Sequence, residues 1–156
     1  MGKQSDSAKR NARSPQPLVA FAICSETGNG DTLQKMLDSI RGIRKINAEV
    51  VLDQSDRPLA IKRIETIERA LRIGAEYVVV CADYLSFSKE WWEGFCKFGL
   101  TGWDVALSPC FNLNGHRYKD WCFHPNRCGE NAGRLASYDR KFDGQMFVNH
   151  HYFVMT

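Results

Sequence analysis

Long hydrophobic runs are missing from this sequence, which has no apolar stretch close to the ~18 residues that a membrane-spanning helix needs. The N-terminus also lacks the apolar segment of a secretory signal, so a cytoplasmic location is expected. Hydrophobic residues make up 44% of the 156 residues and charged residues 25%, which is typical of a globular protein. A chain of this length predicts one domain with its own core.

A basic excess is missing from most of the chain. Residues 1–17 hold four basic residues against the single acidic Asp6, and this segment supplies the whole net charge of +3. It is polar and contains two prolines, which predicts a disordered basic tail ahead of a domain over residues 18–156. Contact between the tail and nucleic acid is an open alternative to a solvated tail. The neutral remainder does not indicate a DNA-binding domain.

A complete zinc-binding pattern is also missing. The stretch "CFHPNRC" brings Cys122, His124 and Cys128 close together in sequence. Structural zinc sites need a second ligand pair further along the chain, and the sequence has none. Cys24 and Cys81 lie in apolar runs and are predicted to be small core residues.

Strand-like and helix-like segments alternate along the domain. This order predicts an α/β fold, with a Rossmann-like, mostly parallel sheet, right-handed crossovers and helices on both faces. Ligands of such sheets bind at the carboxyl ends of the strands, and polar residues follow each predicted strand here. The predicted strands are Leu18–Cys24, Val50–Leu52, Tyr77–Ala82, the stretch "DVALSP" and the stretch "QMFVNHHYFVM".

Three helices are predicted from capping residues and apolar spacing. Asp31 is predicted to cap the first helix and to form a capping box with Gln34, and Ser88 is predicted to cap the third helix. The second and third helices are predicted to bury the apolar stripes Ala60, Ile64, Ile67 and Leu71, and Trp91, Phe95 and Phe98 respectively.

The loop "SETGNGDT" after the first strand resembles the phosphate loop of flavodoxins. Ser25, Thr27, Gly28 and Asn29 match that pattern. The resemblance implies an electron carrier that binds flavin mononucleotide through Ser25–Asn29. Gly30 replaces the expected hydroxyl residue, and Asp31 would compete with a phosphate for the helix N–H groups. The other interpretation of the loop is a turn followed by a helix cap.

A second resemblance spans most of residues 18–155. The segments "LQKMLDSI", "LDQSD", "YVVVCADYLSFSKEWW" and "GWDVALSPCFNLNGHRYKDWCFHP" follow one another in the order of a family 2-like glycosyltransferase of the A-type fold. That resemblance implies transfer of a sugar from a nucleotide-diphosphate sugar to an acceptor that the sequence does not identify. It also implies Mg²⁺ or Mn²⁺, which would neutralise the diphosphate leaving group.

The resemblance assigns roles to residues that follow the predicted strands. Asp83 would hold the metal ion, although one aspartate stands where a pair is usual. Asp83 is otherwise interpreted as a turn cap, and Asp53 and Asp56 as ordinary turn acids. A non-catalytic interaction domain on the same fold is the remaining alternative. The residues implied to bind the nucleotide sugar are Ser25, Glu26, Asp53, Ser55, Asp56, Arg63 and Trp121, and those implied to face the acceptor are Asp120 and His150.

Overall fold

A computed structural model describes residues 16–25, 30–106, 114, 122–123, 147–148 and 152–156. Within these residues no helix is both long and apolar enough to cross a membrane. The predicted basic tail lies almost wholly outside the described residues. The helices are α1 (Gly30–Arg41), α2 (Leu59–Arg72) and α3 (Trp91–Phe98). The strands are β1 (Leu18–Cys24), β2 (Asn47–Asp53), β3 (Tyr77–Ala82), β4 (Val105–Ala106), β5 (Cys122–Phe123), β6 (Phe147–Val148) and β7 (Tyr152–Met155).

Five strands form one open, mostly parallel sheet in the order β2-β1-β3-β7-β4. β1 runs parallel to both β2 and β3, while β7 lies antiparallel between β3 and β4. The predicted α/β class is therefore confirmed. The single strand predicted over "QMFVNHHYFVM" is wrong, because this stretch holds two strands in different sheets. β6 pairs with β5, and β7 pairs within the main sheet.

The two faces of the sheet carry side chains of different size. In β1 the large residues Val19, Phe21 and Ile23 point to one face, and Ala20 and Ala22 point to the other. α1 and α3 cover the first face, here called the α1 face, with buried aromatic and aliphatic side chains. α2 covers the second, here called the α2 face. Helices therefore lie on both faces, as predicted.

The crossovers do not all have the same hand, which corrects the prediction. The connections β1–α1–β2 and β2–α2–β3 move in opposite directions across the sheet and use opposite faces, so their hands agree. The connection β3–α3–β4 crosses the sheet in the same direction as β2–α2–β3, but its helix lies on the α1 face. Its hand is therefore opposite to that of the first two, an uncommon arrangement among parallel crossovers.

α2 does not bury the apolar stripe that its sequence predicts. Its buried side chains are Lys62, Thr66 and Ala70, whereas Ile64 is 55% exposed and Leu71 is 49% exposed. The small residues of β1 on the α2 face let the helix approach the sheet closely, and small helix residues fit that contact. Of the predicted stripe, Ile67 is partly buried against the core, whereas Ile64 and Leu71 lie on the flank of the helix.

The predicted caps of α1 and α3 are also wrong. α1 begins at Gly30, so Asp31 lies in the first turn, and Gln34 donates its side-chain hydrogen bond to Asp38 at 2.9 Å. The residue before α3 is Glu90, which makes no side-chain cap bond. Ser88 accepts a hydrogen bond from the first turn of α3 only through its backbone carbonyl.

The apolar face of α3 is rotated from the one predicted. Trp92 and Phe95 are buried in the core, Trp91 is partly buried, and Phe98 is 63% exposed. The helix has only eight residues and ends at Phe98. Its last residue therefore extends past the part of the helix that packs on the sheet.

Candidate functional site

The carboxyl ends of three adjacent parallel strands meet at Ser25. Cys24 stands opposite Asp53 in β2 and opposite Ala82 in β3, so the residues that follow these strands share one edge of the sheet. Ser25 itself is fully buried. Its N–H donates to the Asp53 carbonyl at 3.0 Å, and its hydroxyl donates to Asp83 Oδ2 at 2.7 Å. Ser25 thus connects all three strand ends.

Lys62 reaches the same residue from α2. Its side chain is 4% exposed, and Nζ donates to the Ser25 carbonyl oxygen at 2.9 Å. Ser25 therefore lies between a buried ammonium group and a buried carboxylate, because Asp83 is only 6% exposed. Sequence reasoning missed Lys62, since a lysine in an amphipathic helix is normally solvated.

Asp53 is occupied by contacts within its own loop. Oδ1 accepts hydrogen bonds from the Ser55 N–H at 2.9 Å and the Ser55 hydroxyl at 2.6 Å. Oδ2 accepts from Arg57 at 2.6 Å, and Arg57 also pairs with Glu65 of α2. The Ser55 bonds, followed by Arg57, lower the pKa of Asp53 to about 2. Asp53 therefore orders the β2–α2 turn, and Asp56, the other acidic residue of the turn, is exposed.

Arg63 lies on the part of α2 that faces the carboxyl end of β1, because Thr66, whose hydroxyl bonds the Arg63 carbonyl, also contacts Cys24. It is half-buried, and burial lowers the pKa of its guanidinium group. Burial likewise raises the pKa of the Cys24 thiol, while a 3.7 Å contact with Thr66 and the charges of Arg63 and Lys62 oppose that rise.

Asp83 is the buried carboxylate at this edge that could hold a metal ion. Among the described residues, no group of three histidine, cysteine, aspartate or glutamate side chains is arranged to hold a metal ion. Mg²⁺ and Mn²⁺ bound to nucleotides often use one or two carboxylates together with phosphate oxygens. Asp83 would then be the protein ligand, with its Oδ2 already accepting from Ser25.

The structure brings Ser25, Asp53, Ser55, Arg63 and Asp83 to one edge of the sheet. They lie on two sides of the sheet, because side chains alternate between faces along a strand. By this alternation Ser25 and Asp83 belong to the α1 face and Asp53 to the α2 face. The predicted residues Glu26, Asp120, Trp121 and His150 lie outside the described residues. The loop residues Thr27, Gly28 and Asn29, on which the flavin alternative depends, lie outside them as well.

The chain was compared with protein families, curated proteins and solved structures. No protein-family model, no curated protein and no solved structure matches the chain. What the structure itself establishes is an α/β domain with a polar edge at which Ser25 connects three strands.

Proposed function

We propose that the domain binds a nucleotide-diphosphate sugar at the carboxyl edge of β1, β2 and β3 and transfers the sugar to an acceptor. The observation that carries the proposal is the set of bonds at Ser25, which joins Asp53 and Asp83 into one polar edge next to Arg63. The carboxyl edge of a parallel sheet is where ligands of such folds bind. The resemblance to A-type glycosyltransferases gives the reaction class.

Each residue has a task in this proposal. Asp53 positions the turn that presents Ser55 and the exposed Asp56 to the ribose and base. Arg63 contacts the diphosphate, and Asp83 is the ligand for Mg²⁺ or Mn²⁺ that would neutralise the leaving group. Asp120, Trp121 and His150 stay predictions for the acceptor side of the site.

Calorimetric titration with UDP and GDP, with and without Mn²⁺, tests the proposal. Asp83→Asn is the informative variant, because the amide oxygen can still accept the Ser25 bond while the charge is lost. Asp38→Asn is the matched control, since Asp38 is an exposed carboxylate on α1. We expect the wild type and the control to bind with Mn²⁺ and Asp83→Asn to lose the metal-dependent part. A folded wild type that binds neither nucleotide would overturn the proposal.

A further inference from the structure

Two adjacent basic residues of α2 differ from the other basic residues near them. Lys62 is nine-tenths or more buried and Arg63 is half-buried. Among the described residues, neither has a carboxylate within ion-pair distance. Arg69 and Arg72 of the same helix also have no ion pair with a described residue and bond only backbone carbonyls, but both are exposed. Lys62 and Arg63 therefore differ from them in burial.

Burial without a counter-ion is unfavourable for both groups. An ammonium group that leaves water loses its hydration, and a single carbonyl acceptor restores only part of it. The Lys62 ammonium has that one acceptor, the Ser25 carbonyl. Asp83 bonds Ser25 on the other side of that residue, and Asp53 pairs with Arg57, so neither carboxylate pairs directly with Lys62 or Arg63. The two basic groups of α2 are therefore buried and half-buried without a direct counter-ion among the described residues.

Both charges converge on the carboxyl end of β1. Lys62 bonds the Ser25 carbonyl there, and Thr66, one helical turn further along α2, contacts the Cys24 thiol at 3.7 Å. Arg63 lies between these two residues on the helix. A desolvated pair of cations at a strand end is suited to a phosphate group, for which arginine offers two parallel donors.

We propose that Arg63 and Lys62 form an anion site that binds the diphosphate of the nucleotide sugar without help from a divalent metal. Arg63, which is partly accessible, contacts the phosphate oxygens. Lys62 lies behind it, adds its charge through the protein interior and holds Ser25 in place. The nucleotide part of this inference rests on the proposed function, whereas the anion site itself does not.

Titration of inorganic pyrophosphate and of UDP in the presence of EDTA tests the inference. We expect both to bind the wild type, and Arg63→Gln to weaken both by about tenfold or more. Arg72→Gln is the control, because Arg72 lies on the same helix and its side chain bonds only its own helix, at the Glu68 carbonyl. We expect it to bind as the wild type does. Pyrophosphate binding that is absent, or equal in Arg63→Gln and the wild type, overturns the inference.

Lys62→Met separates a role in anion binding from a purely structural one. If Lys62 serves the anion, the apolar variant keeps a melting temperature near that of the wild type and loses several-fold affinity for pyrophosphate. A variant that melts far below the wild type but binds pyrophosphate normally when folded removes Lys62 from the site. If Lys62→Met does not fold, the Arg63 titrations decide the inference alone.

Comparing pyrophosphate with UDP and GDP distinguishes a failure of the anion site from a failure of the proposed function. Pyrophosphate that binds through Arg63, while UDP and GDP bind no more tightly than pyrophosphate, supports the anion site and contradicts nucleotide recognition. UDP that binds only with Mn²⁺ and is unaffected by Arg63→Gln supports the nucleotide site and overturns the metal-independent anion site.

Discussion

At the scale of single residues, Asp53 links the pH dependence of stability to one turn. Its pKa in the folded protein is about 2, below the ordinary value of 3.8. Because the folded state holds the ionised form, the stabilisation is complete above the ordinary pKa and is lost as the pH falls through about 2. The Ser55 bonds are the largest cause, so the effect belongs to the β2–α2 turn.

We expect Asp53→Asn to lower the free energy of unfolding by about 1–3 kcal/mol at neutral pH, because Arg57 loses its charged acceptor. The variant should also lose less further stability than the wild type between the ordinary aspartate pKa and about 2. Urea unfolding over this pH range measures both effects, with Asp38→Asn as the exposed control. Parallel pH profiles for Asp53→Asn and the wild type would contradict this account of the turn.

The hydrogen bond between Ser25 and Asp83 is expected to stabilise the carboxyl edge of the sheet. Ser25→Ala removes a buried donor from a buried carboxylate, and we expect a loss of about 1–3 kcal/mol in the free energy of unfolding. The double variant with Asp83→Ala, which removes the acceptor, should lose less than the sum of the single variants, by more than the ~0.5 kcal/mol typical of independent sites. Denaturant unfolding of the four proteins measures the coupling. Additive losses would show that the bond does not stabilise the edge.

Single-residue chemistry at this edge was only partly predictable from the sequence. Ser25, Asp53 and Asp83 follow strongly apolar runs, so their position at the strand ends could be read directly. Asp53 bonds Ser55 and Arg57 of its own turn, and Glu65 of α2 pairs with Arg57, a contact that depends on where the helix lies. Lys62 had no local signal of its own, because its burial results from where α2 sits on the sheet.

At the scale of elements, α2 shows how the sheet selects the buried face of a helix. Ala70 is fully buried against the α2 face, whereas Ile64 of the same helix is 55% exposed. We expect Ala70→Leu to lower the free energy of unfolding by about 1–3 kcal/mol, because extra methylene groups do not fit a close contact. Ile64→Ala should change it by no more than about 0.5 kcal/mol. Thermal and urea unfolding of both variants measure the difference.

The reverse order, with Ile64→Ala the more damaging change, would mean that the predicted apolar stripe is the packed face after all. The sequence did hold a signal for the observed face. β1 alternates large residues with Ala20 and Ala22, and Thr66 and Ala70 are the small residues of α2 at helical spacing. Pairing the small residues of β1 with the small residues of α2 would have identified this contact. The apolar periodicity of α2 alone could not identify it.

At the scale of the whole molecule, the sheet depends on a strand from the end of the chain. β7 lies between β3 and β4 and bonds to both, so it connects β4 to the parallel core. Sequence alone predicted a last strand but not its place, because strand order is set by distant pairing. The order of the first four strands and the three helices, in contrast, followed from local apolar patterns and was confirmed, whereas β5 and the division of the last strand into β6 and β7 were not predicted.

Two valines of the β4–β7 ladder test this dependence. Val154 in β7 is 1% exposed and Val105 in β4 is 45% exposed, so the same substitution can be compared at a central and at an outer position. Val154→Ala should lower the free energy of unfolding by about 2 kcal/mol, because it removes two buried methyl groups from the core. Val105→Ala should cost about 0.5 kcal/mol or less.

Urea unfolding followed by tryptophan fluorescence measures both, since Trp91 donates a hydrogen bond to Tyr152 of β7. Equal losses in the two variants would mean that β7 does not hold the central position on which this description of the sheet depends.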